Sequence, residues 1–87
     1  AKVLWKQFLG GKVTTIEKKN EGMVLAGTDR GDVFLLEPNG VIKRLINMNS
    51  SIVAIISLNG SNSFLIATRD GQLAEINLNN LSGRSTP

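Results

Sequence analysis

The chain has neither cysteine nor histidine among its 87 residues. The absence of cysteine excludes disulfide bonds and thiolate metal sites. The absence of histidine removes the commonest zinc ligand, the commonest general base and any serine–histidine catalytic arrangement. Aromatic residues are scarce too, with one Trp, three Phe and no Tyr, which argues against a sugar-binding cleft built from aromatic side chains. We therefore expect a protein that is not an enzyme, with no catalytic residues, no metal site and no cofactor.

Long apolar runs are also missing. No run approaches the roughly 20 residues that span a bilayer, and the first twelve residues, AKVLWKQFLGGK, lack the apolar core of a signal peptide. The ten Lys and Arg residues exceed the seven Asp and Glu residues and give a net charge of +3, but they form no dense basic run. We therefore expect neither a membrane nor a nucleic acid as a partner, and the sequence assigns no compartment.

The length of the chain points towards self-association. A domain of this size buries roughly 60–65% of the surface that its unfolded chain exposes, so its stability is marginal without help. Small domains gain that help from disulfides, a metal or a partner subunit. Because cysteine and histidine are both absent, partner subunits are the expected source.

Strand signals dominate what is present. Short apolar runs rich in β-branched residues alternate with turn compositions such as DRG, PNG, NGSN and RDG. No segment shows a sustained helical period, so we predict little or no helix. Residues 81–87 are predicted to be a disordered tail. The eight predicted strands are residues 3–8, 12–18, 23–28, 32–37, 41–46, 52–58, 63–68 and 72–77.

The second half of the chain repeats the first at a distance of forty residues. The stretch VLAGT at 24–28 falls on FLIAT at 64–68, KVTTI at 12–16 falls on IVAII at 52–56, and Gly31 falls on Gly71. A period near 40 residues with four strands per unit is typical of a β-propeller blade. The inner runs are apolar almost continuously, which indicates strands that are covered on both faces. We therefore predict an all-β chain of two four-stranded antiparallel blades within residues 1–80, with repeats at about 9–46 and 49–80.

The order of the predicted strands suggests how the blades are completed. With blade strands A to D written from inner to outer, the chain runs D, A, B, C, D, A, B, C, so the second blade lacks its outer strand. Residues 3–8 match that missing strand and are predicted to pair with the strand at 72–77 of a neighbouring copy. Propellers have 4–8 blades, so we expect a ring of three or four chains. The residues of this predicted oligomer latch are Val3, Leu4, Trp5 and Phe8.

The repeat resembles that of quinoprotein-like propellers, whose approximate pattern is G-x-V-x-W followed by V-x-x-G-T-x-D-G-x-V-x-x-L-D-x-x-G. The resemblance covers residues 1 to about 77. In the second unit, Arg44 or Leu45 replaces the Trp, and Asn77 replaces the acidic residue. The resemblance implies the propeller fold, but nothing in this chain corresponds to the cofactor ligands of the quinoprotein enzymes. The matching residues are Val3, Trp5, Gly27, Thr28, Gly31, Val33, Leu36, Glu37 and Gly40 in the first unit and Ala67, Thr68, Asp70, Gly71, Leu73 and Ile76 in the second.

The predicted function is that of a non-catalytic module that assembles into a ring and binds another protein. The B–C turns and D–A loops of propellers share one face, which is the candidate partner-binding face. Arg30-Gly31-Asp32 spells an adhesion tripeptide, but a structural role for Gly31 in a tight turn explains it better. Two alternatives are a ring that binds a small ligand in its central channel and a fragment of a longer propeller. The partner-binding candidates are Lys12, Asp29, Arg30, Arg69 and Asp70.

Overall fold

The chain folds into two antiparallel β-sheets that pack face to face. The structure is a computed structural model that describes residues 1–19, 22–58 and 62–80. Sheet A contains four strands in the order β1-β2-β3-β4, and sheet B contains three in the order β5-β6-β7. The strands are β1 Val13–Lys18, β2 Val24–Thr28, β3 Asp32–Leu36, β4 Ile42–Asn47, β5 Ile52–Ser57, β6 Ser63–Thr68 and β7 Leu73–Asn77.

These strands confirm the all-β class and the antiparallel pairing of consecutive strands. Helical structure in the described part of the chain is limited to short 3₁₀ turns, such as Leu78–Asn80. The predicted tail, residues 81–87, lies outside the described residues.

The first predicted strand, residues 3–8, is not a strand in the single chain. Residues 1–9 have no regular secondary structure in the single chain, and the predicted strand depends on pairing with a neighbouring copy. An extended segment becomes a strand only where a neighbouring edge accepts its backbone hydrogen bonds, and no described strand of the same chain pairs with it. Its pairing with a second copy stays a prediction.

The β2–β3 and β6–β7 turns are equivalent, as the repeat predicted. In the first, the Gly31 amide donates to the Thr28 carbonyl at 3.1 Å, and in the second the Gly71 amide donates to the Thr68 carbonyl at 3.2 Å. The Thr28 hydroxyl accepts from the Asp32 amide, and the Thr68 hydroxyl accepts in the same way from the amide of the residue four positions later. Both glycines have positive φ, 91° and 96°, which L-residues adopt only with strain. The prediction of two matched turns is confirmed.

The match between β1 and β5 differs by one residue from the sequence alignment. Val13 pairs with Thr28, and Ile52 pairs with Thr68, so these first residues are 39 apart and not forty. A β-bulge follows in both strands, between Val13 and Thr15 and between Ile52 and Ala54. In the hairpin of β5 and β6, six residues separate the last paired positions, whereas five separate them in the hairpin of β1 and β2. This extra residue restores the repeat distance to forty from β6 onwards. A shift of one flips side chains between faces, so the corrected register decides which residues correspond.

The core lies between the two sheets. Leu25, Val33 and Leu35 of sheet A meet one face of sheet B, and Met48 from the β4–β5 connection joins them. The contributions of sheet B are Ile52, Ile55, Phe64 and Ile66. Strand β5 packs against β1 and β2, so the first strand of each sheet lies at the same side of the stack.

Gly27 permits the closest approach of the sheets. A Cβ at this position would lie 2.5 Å from Cγ2 and 2.7 Å from Cβ of Ile52, distances at which atoms overlap. Two hydrogen bonds also link the sheets. The Thr14 hydroxyl contacts the Ile52 carbonyl, and the Ser57 amide donates to the Glu17 carboxylate at 2.9 Å.

Candidate self-association and partner-binding surfaces

The outer face of sheet B carries several apolar residues beside the exposed Glu75, which pairs with Leu65, and this face is open to solvent within the described part of the chain. The apolar residues on this face pair across the sheet as Ile56 with Leu65 and Ala67 with Leu73. Leu73 is 69% exposed and Ile56 is 53% exposed. In sheet A the positions equivalent to Leu65 and Leu73 are Leu25 and Val33, and both are fully buried against sheet B. A face that forms the core in the first unit is therefore open to solvent in the second.

The outer face of sheet A is also exposed, although the equivalent face of sheet B is buried. Val13 and Ile16 are 44% and 64% exposed, while their equivalents, Ile52 and Ile55, are buried in the core. Three further apolar residues share this face and are only partly buried: Val24, Phe34 and Leu36. Exposed apolar patches of this kind mark interaction surfaces. Each sheet thus exposes the face that its counterpart buries.

Sheet B also ends in an unpaired strand. In sheet A, β4 covers the edge of β3, with Leu36 opposite Ile42 and Asp32 opposite Asn47. Among the described residues, no strand pairs with the corresponding edge of β7, Leu73–Asn77. An open edge is a row of unpaired donors and acceptors that readily accepts another strand.

The four predicted latch residues lie in the N-terminal segment and are largely exposed. Val3, Leu4 and Phe8 are exposed, and Trp5 is about half exposed. Trp5 lies beside the outer face of sheet A, where it lines a groove of about 400 Å³ together with Ile16. The other groove residues are Gly22, Val24, Leu36, Glu37 and Pro38. Trp5 therefore places part of the segment against the outer face of sheet A.

The connection that follows the segment has the geometry of the β4–β5 connection. Gly10 has a φ of 84°, and Asn49, which is 39 residues later, has a φ of 62°. Asn49 is the one non-glycine residue with positive φ among the described residues, and asparagine tolerates this conformation better than most residues. Each connection therefore contains a residue with positive φ at the equivalent position. The segment before Gly10 corresponds in the sequence to β4, which precedes Asn49.

The first part of the predicted partner-binding face is assembled at one end of sheet A. The Lys12 amide donates to the Asp29 carboxylate at 2.9 Å, and the Asp29 amide donates back to the Lys12 carbonyl at 2.8 Å. A Cβ at Gly11 would lie 3.2 Å from Cγ of Arg30, so the Arg30 stem lies over the connection. The Asp29 carboxylate is therefore held by the backbone, and the Arg30 side chain has no hydrogen bond or ion pair among the described residues.

The second part lies at the same end of the molecule. A Cβ at Gly31 would lie 2.8 Å from the Ser50 backbone, and the Asp70 amide donates to the Ser50 hydroxyl at 3.2 Å. Ser50 therefore lies between the two turns. The structure brings all five predicted residues to one end, and their role in binding a partner stays a prediction.

The second turn holds its carboxylate through side-chain hydrogen bonds. The pKa of Asp70 is lowered from its ordinary value, first because the Thr68 hydroxyl donates to its carboxylate and then because the Gln72 side chain does. Arg69 is exposed, and its guanidinium group has no ion pair within the described ranges. The Asp29 and Asp70 carboxylates thus accept hydrogen bonds, whereas the Arg30 and Arg69 side chains have no ion pair among the described residues.

Sequence reasoning missed the residues of the two outer faces as candidate site residues. Leu73, Ile56, Ile16 and Val13 were assigned only as parts of strands. A residue that is apolar in both units but buried in only one indicates a face that lacks a covering sheet. The repeat supplies the first half of this signal, and the structure supplies the burial. Recognising it requires the one-residue correction in β1 and β5.

The described residues form neither a metal cluster nor a membrane-spanning helix. Within residues 1–19, 22–58 and 62–80, no group of three acidic side chains is close enough together to hold a metal ion. Across the same ranges, no helix is long and apolar enough to span a bilayer.

Comparison with known proteins supplies no family. No model of a known protein family matches the sequence, and no curated protein matches it either.

Proposed function

We propose that this protein is a non-catalytic β-propeller module that assembles with copies of itself into a closed ring and serves as a binding scaffold. The observation that carries the proposal is the correspondence of its faces. The outer face of sheet B is equivalent to the buried face of sheet A, and the outer face of sheet A is equivalent to the buried face of sheet B. A second copy can therefore repeat, between chains, the packing that already exists within one chain.

The geometry of that contact favours a ring. Two different faces meet, so the contact is heterologous, and repeated heterologous contacts produce either a closed ring or an open filament. Successive blades of a propeller are related by rotation about a central channel, and rings of 4–8 blades close. With two blades per chain, two to four chains would complete such a ring, and we propose three or four.

The N-terminal segment would complete each sheet B. If the outer face of sheet A covers sheet B of a neighbouring copy, the segment lies on the side where that sheet lacks its outer strand. Residues 3–8 would then pair with β7 of the neighbour, as β4 pairs with β3. This pairing removes both hazards of the single chain, the open edge and the exposed apolar side chains.

Light scattering and sedimentation test the ring. The intact chain should give three or four times the monomer mass of 9.4 kDa. Leu73→Asp places a charge on the outer face of sheet B at the start of its edge strand, and because Leu73 is exposed in the single chain, the variant should fold and remain monomeric. Deletion of residues 1–8 should also abolish assembly, since it removes the outer strand and Trp5.

Arg69→Asp is the matched control. It introduces the same residue in the same sheet, at an exposed turn position four residues before Leu73, and the ring should persist. A parent chain that stays a compact monomer at micromolar concentration would overturn the proposal. A mass that increases continuously with concentration would indicate a filament instead of a ring.

A second function, the docking of an acidic protein segment, is favoured by the free arginines of the turn end. Arg30 and Arg69 project there, while Asp29 and Asp70 are held by hydrogen bonds. Each chain of a ring would repeat this cationic pair. A fluorescent oligoglutamate peptide should bind the parent in low salt, and the double variant R30A/R69A should bind at least tenfold more weakly. Equal binding by the parent and by R30A/R69A would contradict this role.

A further inference from the structure

We infer that the connection at Gly10 and Gly11 of one copy packs on Gly71 of the next copy, and that the Leu9 amide donates to the Gly71 carbonyl there. The inference deepens the proposed ring, on which it rests, by naming the backbone contact through which the N-terminal segment enters the neighbouring sheet. It starts from a contact that the chain already makes between its own two halves.

Within the chain, the β4–β5 connection passes directly over the first turn. The Met48 amide donates to the Gly31 carbonyl at 2.8 Å. A Cβ at Gly31 would lie 2.8 Å from the backbone nitrogen of Ser50 and 2.9 Å from that of Asn49, which is closer than real Cβ atoms approach. The turn glycine therefore leaves the space through which this connection runs.

The connection before β1 contacts the turn of its own sheet as the β4–β5 connection contacts the turn of sheet B. The Asp29 amide donates to the Lys12 carbonyl at 2.8 Å, and the Arg69 amide donates to the Ser51 carbonyl at 2.9 Å. The two acceptors are 39 residues apart, which is also the spacing between the positive-φ residues of the two connections. The connection before β1 is thus equivalent to the one that runs over Gly31.

The second turn is open where the first turn is covered. A Cβ at Gly71 would meet nothing within 4 Å among the described residues, and no turn or loop amide among them donates to the Gly71 carbonyl. Leu9 corresponds to Met48 at the spacing of 39, and both residues are apolar. A neighbouring copy that repeats the internal packing therefore brings the Leu9 amide to the Gly71 carbonyl.

The internal geometry transfers to these residues without a change in size. The atoms that approach Gly31 most closely are backbone atoms, which Gly10 and Gly11 also possess. Gly71 has no Cβ, like its counterpart. No atom of the new contact is therefore larger than the atom that it replaces, and the close packing is preserved.

The backbone conformation and the contact place different demands on Gly71. Its φ of 96° favours glycine, but asparagine also adopts positive φ, as Asn49 does with a φ of 62°. The contact excludes every side chain, because the equivalent Cβ at Gly31 would collide with backbone. An asparagine in place of Gly71 therefore fits the single chain and obstructs the contact between copies.

Sedimentation velocity over a dilution series tests the contact with Gly71→Asn. Circular dichroism on dilute samples should show a folded monomer. The dissociation constant of the ring should rise at least tenfold per interface, since a collision of this kind costs roughly 1–3 kcal/mol and 1.4 kcal/mol is tenfold.

Gly40→Asn is the matched control. Gly40 has a φ of 91°, and the nearest atom to a Cβ there would be Cδ1 of Trp5 at 4.0 Å. The same substitution therefore imposes the same kind of backbone strain without a collision, and the dissociation constant should stay within about threefold of the parent value.

A disulfide tests the spacing next to the contact. Within the chain, Asp32 pairs with Asn47, and the two side chains are hydrogen-bonded at 2.8 Å. Their counterparts are Gln72 and Phe8, which should face each other across the junction of two copies. Because the chain contains no cysteine, F8C/Q72C should form covalent oligomers at multiples of 9.4 kDa on a non-reducing gel after mild oxidation.

Q7C/Q72C is the control for that spacing. A shift of one residue along a strand moves the side chain to the opposite face, so this pair should form few covalent oligomers under the same oxidation. Both double variants carry the same change at Gln72, and the comparison therefore isolates the position in the N-terminal segment.

The outcomes separate this inference from the ring itself. If the parent forms a ring while G71N assembles as well as G40N, the ring stands and the contact on Gly71 is overturned. Covalent oligomers in Q7C/Q72C but not in F8C/Q72C overturn the spacing of 39. If the parent is a monomer at every concentration, both proposals fail. Weak assembly of G71N alone, together with covalent oligomers of F8C/Q72C, supports the inference.

Discussion

Sheets A and B share one strand pattern but differ in how completely they are built. Sheet A has four strands, and one of its faces is buried against sheet B. Sheet B has three strands, and its equivalent face is open, with Leu73 exposed where Val33 is buried. The difference teaches that burial in this chain is decided by position in the stack and only partly by the strand sequence, because similar apolar strands occupy both environments.

The largest expected effect contrasts two leucines at equivalent positions. Leu25 is fully buried, whereas Leu65 lies on the open face. Leu25→Ala should destabilise the single chain by about 2–5 kcal/mol, and Leu65→Ala should cost clearly less. Urea denaturation of dilute samples measures both. At concentrations where the ring forms, the loss of stability caused by Leu65→Ala should approach that caused by Leu25→Ala. Equal losses of stability in the dilute monomer would contradict the prediction.

A second contrast involves the turn glycines. Both have positive φ, but a Cβ at Gly31 would meet the backbone of Ser50 at 2.8 Å, whereas a Cβ at Gly71 would meet nothing within 4 Å. Gly71→Ala should cost about 1 kcal/mol for the strained backbone. Gly31→Ala should cost about 2–4 kcal/mol, because the collision adds to that strain. The difference should appear in the melting temperatures, and a larger loss for Gly71→Ala would contradict the packing of this turn on the β4–β5 connection.

A third contrast compares the residues that follow these glycines. Asp32 is nearly buried and accepts a hydrogen bond from the Asn47 side chain at 2.8 Å, while the Arg44 guanidinium lies 3.5 Å away. Its counterpart, Gln72, is exposed. Asp32→Ala should destabilise the chain by about 1–3 kcal/mol because it removes the charged acceptor of the Asn47 amide, which keeps the Arg30 carbonyl, and also removes the ion-pair partner of Arg44. Gln72→Ala should cost less, and chemical denaturation distinguishes the two.

The smallest expected effect is a difference in acid sensitivity between the two turns. Asp70 has a lowered pKa in the folded chain, chiefly because of the Thr68 hydroxyl. A carboxyl group whose pKa is lower folded than unfolded stabilises the fold above its unfolded pKa, about 3.9, and loses that contribution as the pH falls through the folded pKa. The stabilisation is therefore present at neutral pH and disappears in acid.

Asp70→Asn should remove this contribution. The melting temperature of the parent should exceed that of D70N by a small margin at pH 7, and the margin should close below about pH 4. Arg30→Asn is the control at the equivalent turn position and should leave the acid dependence unchanged. A margin that widens in acid would contradict the hydrogen bonding of this turn.

Much of the architecture could be predicted from local signals. The positions of seven strands, the two equivalent turns and the all-β class follow from β-branched runs and from glycine and asparagine in the connections. These features depend on neighbouring residues only. The register of β1 and β5 could not be predicted, because the extra residue of the second hairpin compensates for the shift and leaves the repeat distance of β2 and β6 at forty.

The sequence by itself determined the period of the chain, its strands and the absence of cysteine and histidine chemistry. The tertiary structure decided which apolar residues are buried and which form open faces. The identity of a residue cannot settle this, since Leu25 and Leu65 are identical and occupy equivalent positions in their strands. Only the stacking of sheet A on sheet B distinguishes them, because the free energy of burial depends on what covers a side chain.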